Sequence, residues 1–500
     1  RLFLSVFSKI SRTEILTSWH NTSVCSFKKS PFQFSNNEYP IGMKLPYIEP
    51  YKIKTVESIQ LSTPEQRKKW IEEASYNLFK LNSDQVIIDL ITDSGTGAMS
   101  DKQWAEVMLG DESYAGSRSF LKLKKTVKEL TGFTHFIPTH QGRAAENVLF
   151  SALVKEGDFV PGNAHFDTTK GHIEYRKATA VDCTIEEAFD IAIDHPFKGN
   201  IDLQKLEAIL QKHPKEKIPF VLMTITCNSV GGQPVSIQNM RAVRALCNQY
   251  DVCFYIDAAR FAENAYFIKT REEEFAEYSI KEIVKETFCL ADGMTMSAKK
   301  DGLVNMGGFI ALNDPKVYES CSTFAIMYEG FVTYGGMSGR DMGALAQGLL
   351  EGVEFDYLES RIQQTAYLGK RLDAFDIPVL KPFGGHAIYI DAAKFVPVIP
   401  KEEYQAQSLA IELYIVSGIR GVEIGTLLAD RDPVTRENRF PKLEMVRLAI
   451  PRRTYTISHM EYVAVAIKKV FDTRKEAKRG YSIKWEAPIM RHFTVQLEKN

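Results

Sequence analysis

Residues 291–301 read ADGMTMSAKKD. Met294, Thr295 and Met296 form an apolar run that predicts a short buried strand, which breaks into a small-residue turn at Ser297 and Ala298. Lys299, Lys300 and Asp301 follow, and then a Gly-rich apolar segment begins at Met306. Burying an ammonium costs several kcal/mol unless it is paired or neutralised. One way to neutralise such a lysine is to make it a Schiff base. A solvated turn is the plainer account of two adjacent lysines, so the neighbouring chain has to decide.

Upstream, the pattern alternates. Residues 203–210, 237–247 and 280–286 carry apolar side chains at helical spacing, while 221–226 and 252–256 are strand-like runs. Helices alternating with strands predict a mainly parallel sheet covered by helices, with ligands at the carboxyl ends of its strands. Asn228, Asp257 and Lys300 each fall just past such an end. A carboxylate there needs a cationic partner. Arg260 is three residues from Asp257, so an ion pair between them is one reading, and a charged heteroaromatic nitrogen is the other.

Further out, residues 63–81 predict a helix capped by Thr63, and 86–92 an apolar strand running into the Gly/Ser/Thr loop 93–97. Gln141, Gly142 and Arg143 precede a helical pattern over 144–153; free N–H groups, the helix dipole and an arginine together suit a phosphate. Phe166, within the segment HFDTT at 165–169, is an aromatic platform or a strand end. Tyr114 is flanked by small residues, leaving its hydroxyl reachable. Arg447 lies inside the strand-like run 443–450, where an arginine is normally paired with a carboxylate.

The 500 residues carry a net charge of −1, which favours neither nucleic acid nor an anionic membrane as partner. No apolar run approaches the ~18 residues of a membrane helix. Seven scattered cysteines without CxxC spacing fit reduced thiols in a cytosol-like compartment. Residues 1–42 stand apart: Arg1, Lys9, Arg12, Lys28 and Lys29 face only Glu14 and Glu38. They read as a translated upstream region without a role, or as a mitochondrial transit peptide; the first makes the location cytoplasmic. The expected organisation is an extension at 1–42, an arm at 43–62, part of a small domain at 63–90, a large domain at 91–350 and the rest of the small α+β domain at 351–500.

Eleven runs in order along almost everything after Met43 resemble the pyridoxal-phosphate (PLP) β-eliminating lyases, among them LITDSGTGAMSD at 90–101, PTHQGR at 138–143, NSVGGQPVS at 228–236, DAARFAENAYFIK at 257–269, MSAKKD at 296–301 and RLAIPRRTYT at 447–456. The resemblance implies an α/β fold of the aspartate-aminotransferase type (PLP fold type I). It makes Lys300 the Schiff-base lysine and Asp257 the partner of the pyridine nitrogen. Phe166 stacks on the ring, Arg260 and Asn228 lie near its substituents, and Gln141, Gly142, Arg143 and Ser297 take the phosphate. Arg447 takes the substrate carboxylate, with Thr92 and Ser94 close by, and Tyr114 is a proton donor reaching in from a neighbouring subunit of a homotetramer. Gly95, Glu112 and Asn305 resemble the family's site for K⁺ or NH₄⁺. Family members act on tryptophan or tyrosine. Ile424 stands where the tyrosine branch is expected to have an arginine, Asp167 replaces a threonine and His492 a phenylalanine; all three imply an indole substrate.

Overall fold

The structure is a computed structural model that describes residues 49–432, 434–476 and 479–500. The extension expected at 1–42 lies outside the described residues.

A seven-stranded sheet organises the chain. From one edge its strands are His135–Thr139, Gly308–Leu312, Gly293–Ser297, Cys253–Asp257, Phe220–Thr224, Phe159–Gly162 and Thr179–Asp182. The last five are mutually parallel, whereas Gly308–Leu312 runs antiparallel to both neighbours. The reason is local: parallel strands need a crossover of a dozen or more residues, and the link from Ser297 to Gly308 is too short for a helix. Alternate side chains feed two cores. Val221, Met223, Phe254 and Ile256 enter one, and Phe220, Leu222 and Tyr255 the other, so these strands are apolar throughout.

The first helix is shorter than the sequence pattern suggests. Thr63 caps it in a capping box with Gln66, but it ends at Glu73, and Ser75 and Tyr76 turn with φ of 52° and 56°. Of the strand expected over 86–92, only Ile88–Asp89 pairs, alongside Ile419–Arg420. Their apolar neighbours Ile71, Leu78 and Leu90 join a third core with Leu368, Ile388, Ile390, Val446, Leu448 and Val463. That core is roofed by an antiparallel sheet of Ala387–Asp391, Met445–Ala449 and Val422–Ile424. The sheet's other face carries Tyr389, Arg447 and Ile424, and it looks toward the ends of the parallel strands.

Where these parts meet, three arginines and three carboxylates are buried together. Asp93 takes both Nε and Nη2 of Arg260 (3.0 and 2.7 Å) and Nη1 of Arg452 (2.9 Å). Arg452 also holds Glu263 (2.7 Å) and Asp301 (2.8 Å), and Arg361 meets Glu263 at 3.1 Å. Burial opposes the Asp93 charge, yet Arg260 and its neighbours hold its carboxyl well below the usual range. Removing one member strands the others' charges in the interior. Arg452→Met is therefore expected to lower the unfolding free energy by about 3–5 kcal/mol in chemical denaturation, against almost no change on breaking the exposed Lys54–Asp101 pair.

Candidate active site

The strand Gly293–Ser297 ends in the turn that presents Lys300, whose Nζ donates to Ser297 Oγ at 2.8 Å. Burial, and then the nearby Arg260 charge, push the lysine down from 10.5 to about 8. The adjacent strand ends in Asp257, whose register partner on the lysine-bearing strand is Thr295. Among the described residues its Oδ1 accepts only the Ala259 N–H, at 3.2 Å, and burial pushes its carboxyl up, opposed by Lys300.

The ion pair considered between Asp257 and Arg260 does not form. Arg260 caps the following helix Phe261–Arg271, and this turn carries its guanidinium away to Asp93. Asp257 is thereby left with a cleft in front of it and no guanidinium bonded to it, which suits a cationic heteroaromatic nitrogen.

The opposite end of the cleft is a helix N-terminus. Gln141 is the N-cap of Gly142–Leu153. A Cβ on Gly142 would lie 2.5 Å from the Ser297 Cβ, so only glycine lets the helix start approach that strand end. Arg143, Ser297, Lys299 and Lys300 line the cleft with Phe166 and Asp257. Phe166 is not a strand end: it is the N-cap of the helix Asp167–Tyr175. Ser94 also lines the cleft, and its N–H donates to Thr92 Oγ1 at 3.1 Å.

Arg447 approaches from the small antiparallel sheet. Its Nη1 donates to Asn228 Oδ1 and its Nη2 to the Ile91 carbonyl, both at 3.0 Å, while its buried Nε has no partner among the described residues. Tyr389 also donates to Asn228 Oδ1 (3.1 Å), with His386 Nε2 at 3.0 Å, which fixes the orientation of the Asn228 amide. Asp167 and His492, far apart in sequence, come within 3.6 Å. Burial, then Arg447, lowers His492 to about 3, and burial raises Asp167.

Some expected residues lie elsewhere in the single chain. Tyr114 is exposed, its ring packed against Phe331 and Tyr334 at 5.9 and 5.1 Å, and it does not line the cleft. Asn305 donates to the carbonyls of Gly95 (2.9 Å) and Gly97 (3.1 Å), while Glu112 is paired with Arg340 at 2.5 Å. Sequence reading missed Glu146. This buried acid lines the cleft, accepts from Thr168 Oγ1 at 3.0 Å and from Thr169, and is pushed up to about 7 by burial and by Asp257. Its signal was a lone acid on an otherwise apolar helix face. Among the described residues no group of three or more His, Cys, Asp or Glu is arranged for a metal.

A lysine of lowered basicity, a carboxylate facing the cleft, an aromatic at a helix cap and a glycine-cleared helix start fit PLP. Comparison with known proteins agrees. The family described as beta-eliminating lyase matches residues 89–466. A probable beta-eliminating lyase of Trichomonas vaginalis is 62% identical, covering 91% of this chain and 100% of its own. A tyrosine phenol-lyase of Pasteurella multocida is 50% identical (90% and 98% covered), and a tryptophanase of Hyphomonas neptunium 53% (90% and 99%). Among solved structures, a serine palmitoyltransferase of Sphingomonas wittichii superposes with a TM-score of 0.54 at 13% identity, covering 82% of this chain and 97% of that one. A serine palmitoyltransferase from S. paucimobilis with bound PLP–myriocin gives 0.53 at 13%, covering 78% and 89%. The fold is the PLP-dependent fold type I. The chain belongs to the beta-eliminating lyase family, and is a PLP-dependent lyase.

Only a neutral amine attacks an aldehyde. Attachment of PLP to cofactor-free protein, followed by visible absorbance, is therefore expected to accelerate with pH and level off above about 8; a midpoint near 10.5 contradicts the assigned environment of Lys300.

Proposed function

We propose that this lyase cleaves L-tryptophan with water to indole, pyruvate and ammonia, the tryptophanase reaction. The observation that carries the choice of substrate is the face shared by Arg447 and Ile424. The two lie on adjacent strands, with Val422 opposite Arg447 and Ile424 two residues on, so all three side chains project the same way. Ile424 packs there with Met445, Leu443 and Tyr389. An apolar wall suits indole and offers a phenol hydroxyl no charged partner. The identities to tryptophanases and to tyrosine phenol-lyases are too close to choose between the two substrates.

Arg447 binds the substrate carboxylate, its unpartnered Nε supplying a free donor, with Thr92 and Ser94 beside it. Gln141, Gly142, Arg143 and Ser297 would hold the phosphate of PLP, Phe166 would take its ring, Asn228 and Arg260 would border the ring substituents, and Asp257 would keep the ring nitrogen protonated. Bound PLP supplies an electron sink that acidifies the substrate's α-proton. Lys300 Nζ, of lowered basicity, is the base that removes that proton. Indole leaves only once its ring carbon is protonated, which requires an acid at the aromatic end. Tyr114 reaches that end from a neighbouring subunit of a homotetramer, consistent with its exposure in the single chain. Asp167, with His492, assists at the indole ring. Gly95, Asn305 and Glu112 are the residues that would hold K⁺ or NH₄⁺.

Product analysis with L-tryptophan and L-tyrosine supplied separately tests the assignment: indole release should dominate, and phenol release far above indole overturns it in favour of tyrosine phenol-lyase. Lys300→Ala should lose at least about 10³-fold in turnover. Ile424→Arg should weaken tryptophan use by about 10- to 100-fold while leaving PLP absorbance in place, because it buries a charge against the indole without touching the cofactor's holders.

A further inference from the structure

The loop that follows Ile424 is held from behind by ionisable side chains that none of the steps above uses. Glu423, on the core side of its strand, accepts the backbone N–H groups of Leu427 and Leu428, both at 3.0 Å. Glu444 accepts the Thr426 N–H (2.9 Å), the Thr426 hydroxyl (2.8 Å) and the Ala406 N–H (3.3 Å). The loop lies directly on this carboxylate: a Cβ on Gly425 would be 2.5 Å from Glu444 Cδ. Arg491, 0% exposed, closes the frame from the other side. Its Nη2 donates to the Thr426 carbonyl (2.7 Å) and its Nε to that of Leu427 (3.2 Å), while Nη1 is anchored on Asn438 (2.8 Å) and Glu486 (3.0 Å). The next residue in the chain is His492, opposite Asp167.

Two buried carboxylates so close repel, and burial and the Glu444 charge push Glu423 up to about 8. Apolar residues of similar volume would fill the same space as stably. The acids here instead bind backbone N–H groups of one short loop, and the arginine binds its carbonyls. That arrangement fixes where a loop sits more than it fills a core.

We propose that Glu423, Glu444 and Arg491 are positioning residues that hold Ile424 and His492 at a set separation, and so determine how the aromatic half of the substrate is recognised. The proposal rests on the reading that these two side chains meet the aromatic ring. It leaves binding of the amino-acid half at Arg447 to other groups.

The test is the KM of the aromatic substrate set against the inhibition constant of L-alanine, which shares the carboxylate and amine but has no ring. The aromatic substrate is whichever of L-tryptophan and L-tyrosine the unaltered holoenzyme cleaves faster. Glu444→Ala should raise the aromatic KM about tenfold and the L-alanine constant by less than about twofold, as for one or two lost buried hydrogen bonds acting on the ring alone. Glu444→Gln, which keeps the shape and an acceptor oxygen, should restore most of the difference. Thr426→Val removes a single hydroxyl donor and should move the same ratio about threefold; if Glu444→Ala does not fold, this variant decides. Equal rises in both constants, or a ratio that stays put in both Glu444→Ala and Thr426→Val, overturn the proposal. An unaltered enzyme that cleaves neither amino acid overturns the aromatic-substrate reading and this proposal together.

Discussion

Asp93, Glu263 and Asp301 are neutralised by Arg260, Arg361 and Arg452 in the interior, and the turn that bears Lys300 is fixed against its neighbours by that cluster. Asp301 follows Lys300 directly. Its carboxylate takes the N–H groups of Ala262 (2.8 Å) and Glu263 (3.1 Å) at the start of the helix after Asp257, as well as Arg452. The lysine-bearing turn, the strand end that carries Asp257, the loop after Thr92 and the segment after Arg447 are thus tied through one set of charges. Such a cluster is costly to bury and stabilises little compared with an apolar core of equal volume. Its value is geometric, because every bond has a direction.

The same cluster explains why the site's charges are distributed as they are. By taking Arg260, Asp93 leaves Asp257 without a bonded guanidinium at the end of the cleft. The cationic surroundings that reach Lys300, Arg260 and Arg452 among them, add to burial in favouring its neutral amine. A carboxylate open toward a cationic ring and a lysine close to neutral are two consequences of one arrangement. The second half of the pocket is built differently. There the antiparallel sheet shows Arg447, Tyr389 and Ile424 on one face and seals its other face into an apolar core.

Much of this was legible in the sequence. The strands ending at Thr224, Asp257 and Ser297 fall within a residue or two of their expected ends, because runs buried on both faces leave an unbroken apolar signature. The helix start at Gln141 and the meeting of Asp257 and Lys300 at one cleft followed from the same pattern. The choice of Lys300 over Lys299 did not; it came from resemblance. Pairings between distant segments were not legible either. Nothing local to Arg260 says that its partner is Asp93, 167 positions away, and nothing local to His492 says that it faces Asp167. The antiparallel strand Gly308–Leu312 and the early end of the first helix reflect turn geometry, which apolar periodicity does not report.

The central claim is that a buried ionic frame delivers one particular lysine, at the end of one strand, to the cofactor. Borohydride reduction of the PLP-loaded protein, followed by proteolysis and mass spectrometry, tests this most directly. The account predicts the pyridoxyl mass on Lys300 alone. A label on Lys299, or no label on either lysine, would contradict it.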